Sequence, residues 1–244
     1  MLSQETLDVV LGGRPFRFFP VTDSTNDDAI AWLSAGASAG AAVIADEQRK
    51  GRGRMGRVWH TPAGVALAVS VVLKPPPQAA ARAGMLGAVA VAELCESLGV
   101  ADVGIKWPND VQIGGRKVCG ILPQAVWHNQ TLVGVVLGMG INVRVRFDGD
   151  LEQTAISLED ALHRPLHRAQ ILLALLARVD AWAQRMTDDA LLQAWRARLR
   201  TLGQAVRVDD VQGVAVDVDN DGALLIETQD GQVRVVAGDI HGTA

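Results

Sequence analysis

The most unusual chemistry in this 244-residue chain lies between Gln48 and Arg57, where Gln-Arg-Lys-Gly-Arg-Gly-Arg-Met-Gly-Arg sets five basic residues among three glycines. Glycines let successive backbone N–H groups converge on one anion, and arginines add charge and forked donors, so the segment suits a phosphate. Its like charges and its glycines resist ordering, which predicts a loop that settles around a ligand. A solvated basic loop, or a nucleic-acid patch of the arginine–glycine kind, has the same composition. The flanks speak for an enzyme: Val43-Ile44-Ala45 reads as a strand before the loop, and Trp59 and an apolar strand from Val65 follow it.

Two other segments could share that chemistry. Lys106-Trp107-Pro108-Asn109-Asp110 precedes a short hairpin turning at Gly114-Gly115, after which Lys117 enters the apolar run Val118–Leu122. A lysine entering a sheet can neutralise a phosphate or a carboxylate, although any single lysine is more often a surface residue. Asp23-Ser24-Thr25-Asn26-Asp27-Asp28 stands ahead of Ala29, Ile30, Trp32 and Leu33. A serine with an acidic residue three positions on is a capping-box pattern and predicts a helix start. The same hydroxyls and amide would suit a small polar ring if they faced a pocket.

Sheet strands would have to hold these segments together. In Val65–Leu73 the odd positions are large and Ala66, Ala68 and Ser70 are small; in Val133–Val143 the odd positions are bulky and the other face carries Gly134, Gly138, Gly140 and Asn142. Period-two alternation puts each set on one side of a sheet. A face cleared of side chains predicts a close approach by a ligand or by a tightly packed helix, and Asn142 at its end favours the ligand. Two helical patterns follow, one with Leu172, Leu175, Leu176, Val179 and Trp182 on one face. The other is capped by Thr187, with Asp188 and Asp189 in its first turn and Arg196, Arg198 and Arg200 near its end. After Gly203 the chain changes to short β-type runs, Val206–Val208, Gly213–Val218, Ala223–Thr228 and Gln232–Val236, separated by Asn220-Asp221-Gly222 and Asp230-Gly231. About forty residues of hairpin hold little core alone, so a small barrel packed on the main domain is expected.

Composition narrows the function. Half the residues are apolar (49%), a fifth are charged (20%) and the net charge is −4, an ordinary globular profile that argues against a nucleic-acid-coating protein. The two cysteines, Cys95 and Cys119, have apolar neighbours and no metal-ligand spacing, which reads as two reduced, buried thiols and no protein metal site. Glu5 and Asp8 near the start exclude a signal-peptide pattern, and the apolar stretches Ala83–Cys95 and Ile171–Ala177 are too short to span a bilayer. A cytoplasmic protein with no membrane partner is expected.

In order, Ser24–Asn26, Gly51–Arg57, Lys106–Asp110, Lys117 with Gly120–Leu122, and Gly138–Asn142 resemble the bacterial biotin–protein ligases, whose pattern is Ser-Thr-Asn, Gly-Arg-Gly-Arg-x-Gly-Arg, Lys-Trp-Pro-Asn-Asp, a lysine before Gly-Ile-Leu, and Gly-x-Gly-Ile-Asn. The likeness covers roughly residues 20–145 by motif and extends by layout to the C-terminal hairpins. It implies an α+β fold: a catalytic domain with a mixed sheet, akin to class II aminoacyl-tRNA synthetases, over residues 1–200, and a small SH3-like barrel over 201–244. It implies ATP-dependent activation of biotin to biotinyl-5′-AMP, with Mg²⁺ accompanying ATP, and transfer to a lysine of a biotin carboxyl carrier protein.

The resemblance also implies site roles. Ser24, Thr25 and Gln48 would hold the ureido ring of biotin, with Asn26 closing that end. Gly51, Arg52, Gly53 and Arg54 would fold over the carboxylate and α-phosphate, with Lys117 between them and Gly120 beside it. Gly138 and Gly140 would leave room for the ligand. Arg54, Arg57, Trp59, Lys106, Asn109 and Lys117 would help bind ATP, and Asn142 would face the adenine. Arg54 and Lys117 are the catalytic pair. Met55 stands where some members have another arginine, and the tail His241-Gly242-Thr243-Ala244 offers none. The segment ahead of Ser24 is too short for the DNA-binding winged helix of repressor-type members, so operator binding is not expected. Members can pair through the main sheet, and the sequence leaves a homodimer open. A lipoate–protein ligase is the nearest rival; it would want a long apolar tunnel, against which Ser24, Thr25 and Gln48 speak. An arginine–glycine nucleic-acid module is the more distant one, disfavoured by net charge and the absence of interleaved aromatics.

Overall fold

The computed structural model describes residues 2–242; Met1 and the end of the arginine-free tail, Thr243 and Ala244, lie outside the described residues. In chain order the elements are α1 (Gln4–Leu11), β1 (Phe16–Thr22), α2 (Thr25–Ser34), β2 (Ala42–Gln48), β3 (Ala66–Leu73), α3 (Ala83–Ser97), β4 (Val103–Lys106), β5 (Asp110–Ile113), β6 (Arg116–His128) and β7 (Thr131–Asn142). Then come α4 (Asp150–Thr154), α5 (Leu158–Leu162), α6 (Arg168–Ala183), α7 (Asp189–Arg196) and the short strands β8 (Ala205–Val208), β9 (Val211–Val218), β10 (Leu224–Thr228), β11 (Gly231–Val235) and β12 (His241–Gly242).

Seven strands form one mixed sheet in the order β1-β2-β3-β7-β6-β5-β4, parallel between β1 and β2 and antiparallel elsewhere. Its two faces divide as the alternation requires. The large odd residues of β3 and β7, among them Leu67, Val69, Leu137, Met139 and Ile141, enter the main core beneath α3 and α6. Helix α3 is apolar on nearly every side from Ala83 to Cys95, Glu93 excepted, because it is buried nearly all round there. It lies so close to the sheet that a Cβ on Gly87 would sit 2.8 Å from Ile121. Both thiols are free and buried here, and burial pushes Cys95 up to about 12 and Cys119 well above its usual value.

Ends of elements differ from the sequence reading. The cap of α7 is Asp188, one residue beyond Thr187, and the helix ends at Arg196. Arg198 and Arg200 lie past that end and pair instead with Glu96 (2.8 Å) and Asp102 (2.5 Å), so the helix dipole explains Arg196 alone. The C-terminal strands form a separate antiparallel sheet in the order β11-β10-β9-β8-β12. Trp107 fastens it to the main sheet: its backbone N–H donates to Thr201 Oγ1 (3.0 Å) and its Nε1–H to the Gly222 carbonyl (2.8 Å). Among the described residues no helix is long and apolar enough to cross a membrane.

Candidate active site

The small-residue face of the sheet is the floor of a cavity of about 380 Å³. Register builds that floor: Gly140 lies between Ala68 of β3 and Gly120 of β6, and Gly138 between Ser70 and Leu122. The three glycines of β7 do different work. A Cβ at Gly134 would sit 2.6 Å from the Leu73 carbonyl of β3 and 3.1 Å from Leu33 of α2, so there the neighbouring strand, more than the helix, accounts for the missing side chain. A Cβ at Gly138 would overlap the Asn26 amide, and one at Gly140 the Trp59 indole. The last two line the cavity, and each seats one of the chain's own side chains there.

One end of the cavity is neutral and largely buried, and its polar side chains other than Ser24 are hydrogen-bonded to one another. It is built by the first turn of α2, the last residue of β2 and the middle of β3. The backbone N–H of Thr25 (2.9 Å) and its hydroxyl (3.0 Å) donate to Gln48 Oε1, and Gln48 Nε2 donates to Thr61 Oγ1 at 3.0 Å. Because a backbone N–H can only donate, this orients the Gln48 amide. Ser70 contacts Thr25 Oγ1 (2.8 Å) and Asn26 Oδ1 (2.6 Å), and Asn26 Nδ2 donates to the Leu122 carbonyl (3.2 Å) and Gln124 Oε1 (2.6 Å). Helix α2 starts where the capping-box pattern predicts, with Ser24 at the N-cap position, but Ser24 makes no side-chain capping bond. Asp27, its supposed partner, pairs with Arg52 instead. Ser24 therefore lines the cavity with its hydroxyl uncommitted to the helix.

The other end is cationic. Loop residues Arg52, Gly53, Arg54, Arg57 and Trp59 face Lys106 and Asn109 from the β4–β5 hairpin and Lys117 from β6. Each cation except Lys106 lies near a carboxylate of the chain. Lys117 pairs with Asp110 at 2.7 Å and lies 5.2 Å from the Trp59 ring. Arg57 pairs with Asp239 from the C-terminal sheet, and outside the cavity Lys50 pairs with Asp23 at 2.7 Å. Burial pushes the Arg54 guanidinium below its usual value, while Asp239 and Asp110 pull it back up. The Trp59 Nε1–H is buried over Gly140 with no partner among the described residues.

Thus Ser24, Thr25, Asn26, Gln48, Arg52, Gly53, Arg54, Arg57, Trp59, Lys106, Asn109, Lys117, Gly120, Gly138 and Gly140 share one cavity. Gly51 and Asn142 do not line it. Gly51 is a packing position, where a Cβ would overlap the Trp59 carbonyl, and the Asn142 amide is spent on the carbonyls of Lys117 and Ile156 at 3.3 Å each. Sequence reasoning missed Ser70, Asp110 and Asp239 as site residues. Ser70 had a signal, as the one polar residue of β3; Asp239 had none, because its partner is distant in sequence.

Residues 18–142 match the biotin/lipoate A/B protein ligase family, and residues 201–241 the biotin protein ligase C-terminal domain. The chain belongs to this ligase family. It is 34% identical to the bifunctional ligase/repressor BirA of Bacillus spizizenii over 243 residues, covering 94% of this chain and 74% of that one. It is 35% identical to the biotin–[acetyl-CoA-carboxylase] ligase of Mycobacterium tuberculosis over 255 residues, 98% of this chain and 93% of that one. Among solved ligase structures, the biotin protein ligase of Aquifex aeolicus in complex with biotin and ATP superposes with a TM-score of 0.80 at 25% identity, covering 94% of this chain and 99% of that one.

Proposed function

We propose that the chain activates biotin with ATP to biotinyl-5′-AMP and passes the biotinyl group to a lysine of a biotin carboxyl carrier protein. The observation that carries this reading is the polarity of the cavity: a closed neutral end of hydroxyls and amides, a glycine-cleared floor, and an opposite end where Arg54 and Lys117 converge. A molecule with a small polar ring at one end and a carboxylate at the other matches it.

Adenylation brings the biotin carboxylate against the α-phosphorus of ATP, and two anions repel until cations screen them. Lys117 and Arg54 supply that screening and stabilise the added charge of the transition state as pyrophosphate leaves. Arg57, Lys106 and Asn109 lie where the rest of the nucleotide would be held, and the unpartnered Trp59 Nε1–H has an acceptor to gain. Asp110 and Asp239 are the carboxylates of this end, and both are engaged by cations. Mg²⁺ would accompany ATP, held largely by phosphate oxygens and water. The mixed anhydride is destroyed by water, and ordering of the loop over it protects it until a neutral lysine amine attacks the acyl carbon and releases AMP. The free, buried thiols accord with a cytoplasmic setting.

Pyrophosphate release tests the reading: release that requires biotin and is absent with lipoate is expected, together with a biotinyl-5′-AMP mass in the mixture. Release driven by lipoate, or by neither acid, contradicts it.

A further inference from the structure

We infer that Asn26 sets the depth of the cavity, acting as a crossbar that stops the substrate's ring end and excludes acids extended beyond it. The inference rests on the biotin reading above and concerns how that site rejects larger acids.

The Asn26 side chain spans three strands. Its Nδ2 hydrogens go to the Leu122 carbonyl and Gln124 Oε1 on β6, its Oδ1 receives Ser70 from β3, and between them it lies over Gly138 of β7, where a Cβ would overlap it. Both amide donors and one acceptor site are thereby spent, leaving one lone pair for any ligand. Asn26 is 4% exposed. It therefore meets a substrate as a wall, in contrast to Ser24, whose hydroxyl is not used by the helix.

What lies behind the wall gives it a consequence. The next positions on the same sheet face are Val136 and Val72, and the next turns of α2 supply Ala29 and Leu33; all four belong to one buried apolar cluster. Removing the carboxamide joins a polar cavity to apolar space. An acid whose ring carries an added alkyl group collides with the crossbar in the native chain. With the crossbar gone, that alkyl group gains an apolar seat. A pocket discriminates by roughly 10–200-fold for one methylene-sized difference.

The test compares kcat/KM for pyrophosphate release with biotin and with biotin bearing a methyl, ethyl or propyl group on either ureido nitrogen. In Asn26→Ala the ratio for the best alkylated acid over biotin is expected to rise about 10–200-fold relative to the native chain. In Asn26→Ala with Gly138→Ala, the new methyl at position 138 occupies the vacated space and the ratio is expected to return close to native. An unchanged ratio in a folded Asn26→Ala chain overturns the inference, as does a gain that survives the second substitution. Should Asn26→Ala fail to fold, Asn26→Ser, shorter but still polar, decides: a raised ratio supports the crossbar and an unchanged one removes it. A native chain that releases no pyrophosphate with biotin defeats the biotin reading itself, a result separate from either.

Discussion

At the neutral end of the cavity Ser24, Thr25 and Asn26 are each 4% exposed and Ser70 is fully buried, with their neighbours already hydrogen-bonded. At the cationic end the side chains of Arg52, Arg57 and Lys117 are 44%, 63% and 30% exposed, and each borrows a carboxylate from a different part of the chain. The contrast follows from what each end must bind. A buried polar group left unsatisfied costs about 1–3 kcal/mol, so a site for a neutral ring is best assembled in advance. Cations crowded together without counter-ions repel, so a site for phosphate is held by internal anions that the ligand can replace. One end recognises by shape and hydrogen bonds already in place. The other waits for charge.

Substitutions can break this division. The largest effect is expected for Lys117→Ala, which should slow adenylate formation by about 10²–10³-fold, the scale for one preorganised donor to a transition state; single-turnover adenylation measures it. Normal adenylation with a slowed transfer step would remove Lys117 from the first reaction. Next, Gln48→Leu leaves Thr25 N–H and Thr61 without their partner. A loss of about 1–3 kcal/mol corresponds to roughly 5–150-fold, and it should fall on the KM for biotin while that for ATP stays put. Equal loss in both would mean the two ends are not separate. The smallest effect belongs to Asp239→Asn. Freeing Arg57, whose side chain is 63% exposed, from its ion pair is worth about 0.2–1 kcal/mol, so the KM for ATP should fall up to about fivefold at low salt. The gain should vanish at high ionic strength. A rise in KM at low salt would show that Asp239 assists the nucleotide.

The two ends were also unequally legible in the sequence. The cations announced themselves because five in one short glycine-rich segment are conspicuous in an acidic chain. Their carboxylates could not be read, since Asp239 meets Arg57 only through the placement of the C-terminal sheet. The neutral end was half visible. Period-two alternation exposed the cleared face of β7, yet it could not tell that Gly134 is crowded by the Leu73 carbonyl and Leu33 while Gly138 and Gly140 seat Asn26 and Trp59 on the cavity floor. That distinction depends on the strand beside Gly134 and on where α2 and the loop residue Trp59 cross the sheet. Asn142 misled for the same reason: it sits on the correct face, one register step beyond the floor, and spends its amide on the backbone. The mixed sheet followed from the family likeness and its strand order did not; nor did the ends of α7, because Thr187 and Asp188 are both good caps and geometry chose the second.

Hydrogen exchange read by mass spectrometry separates the two ends most directly. The amides of Thr25 and Asp28, which donate to Gln48 Oε1 and to the Ser24 carbonyl, are expected to be protected in the free chain and to change little on ligand addition. Those of residues 49–58 should exchange quickly in the free chain and become protected only when biotin and ATP are both present. Fast exchange at Thr25 and Asp28 in the free chain, or a loop equally protected with and without ligands, would contradict an end assembled in advance and an end assembled by its anions.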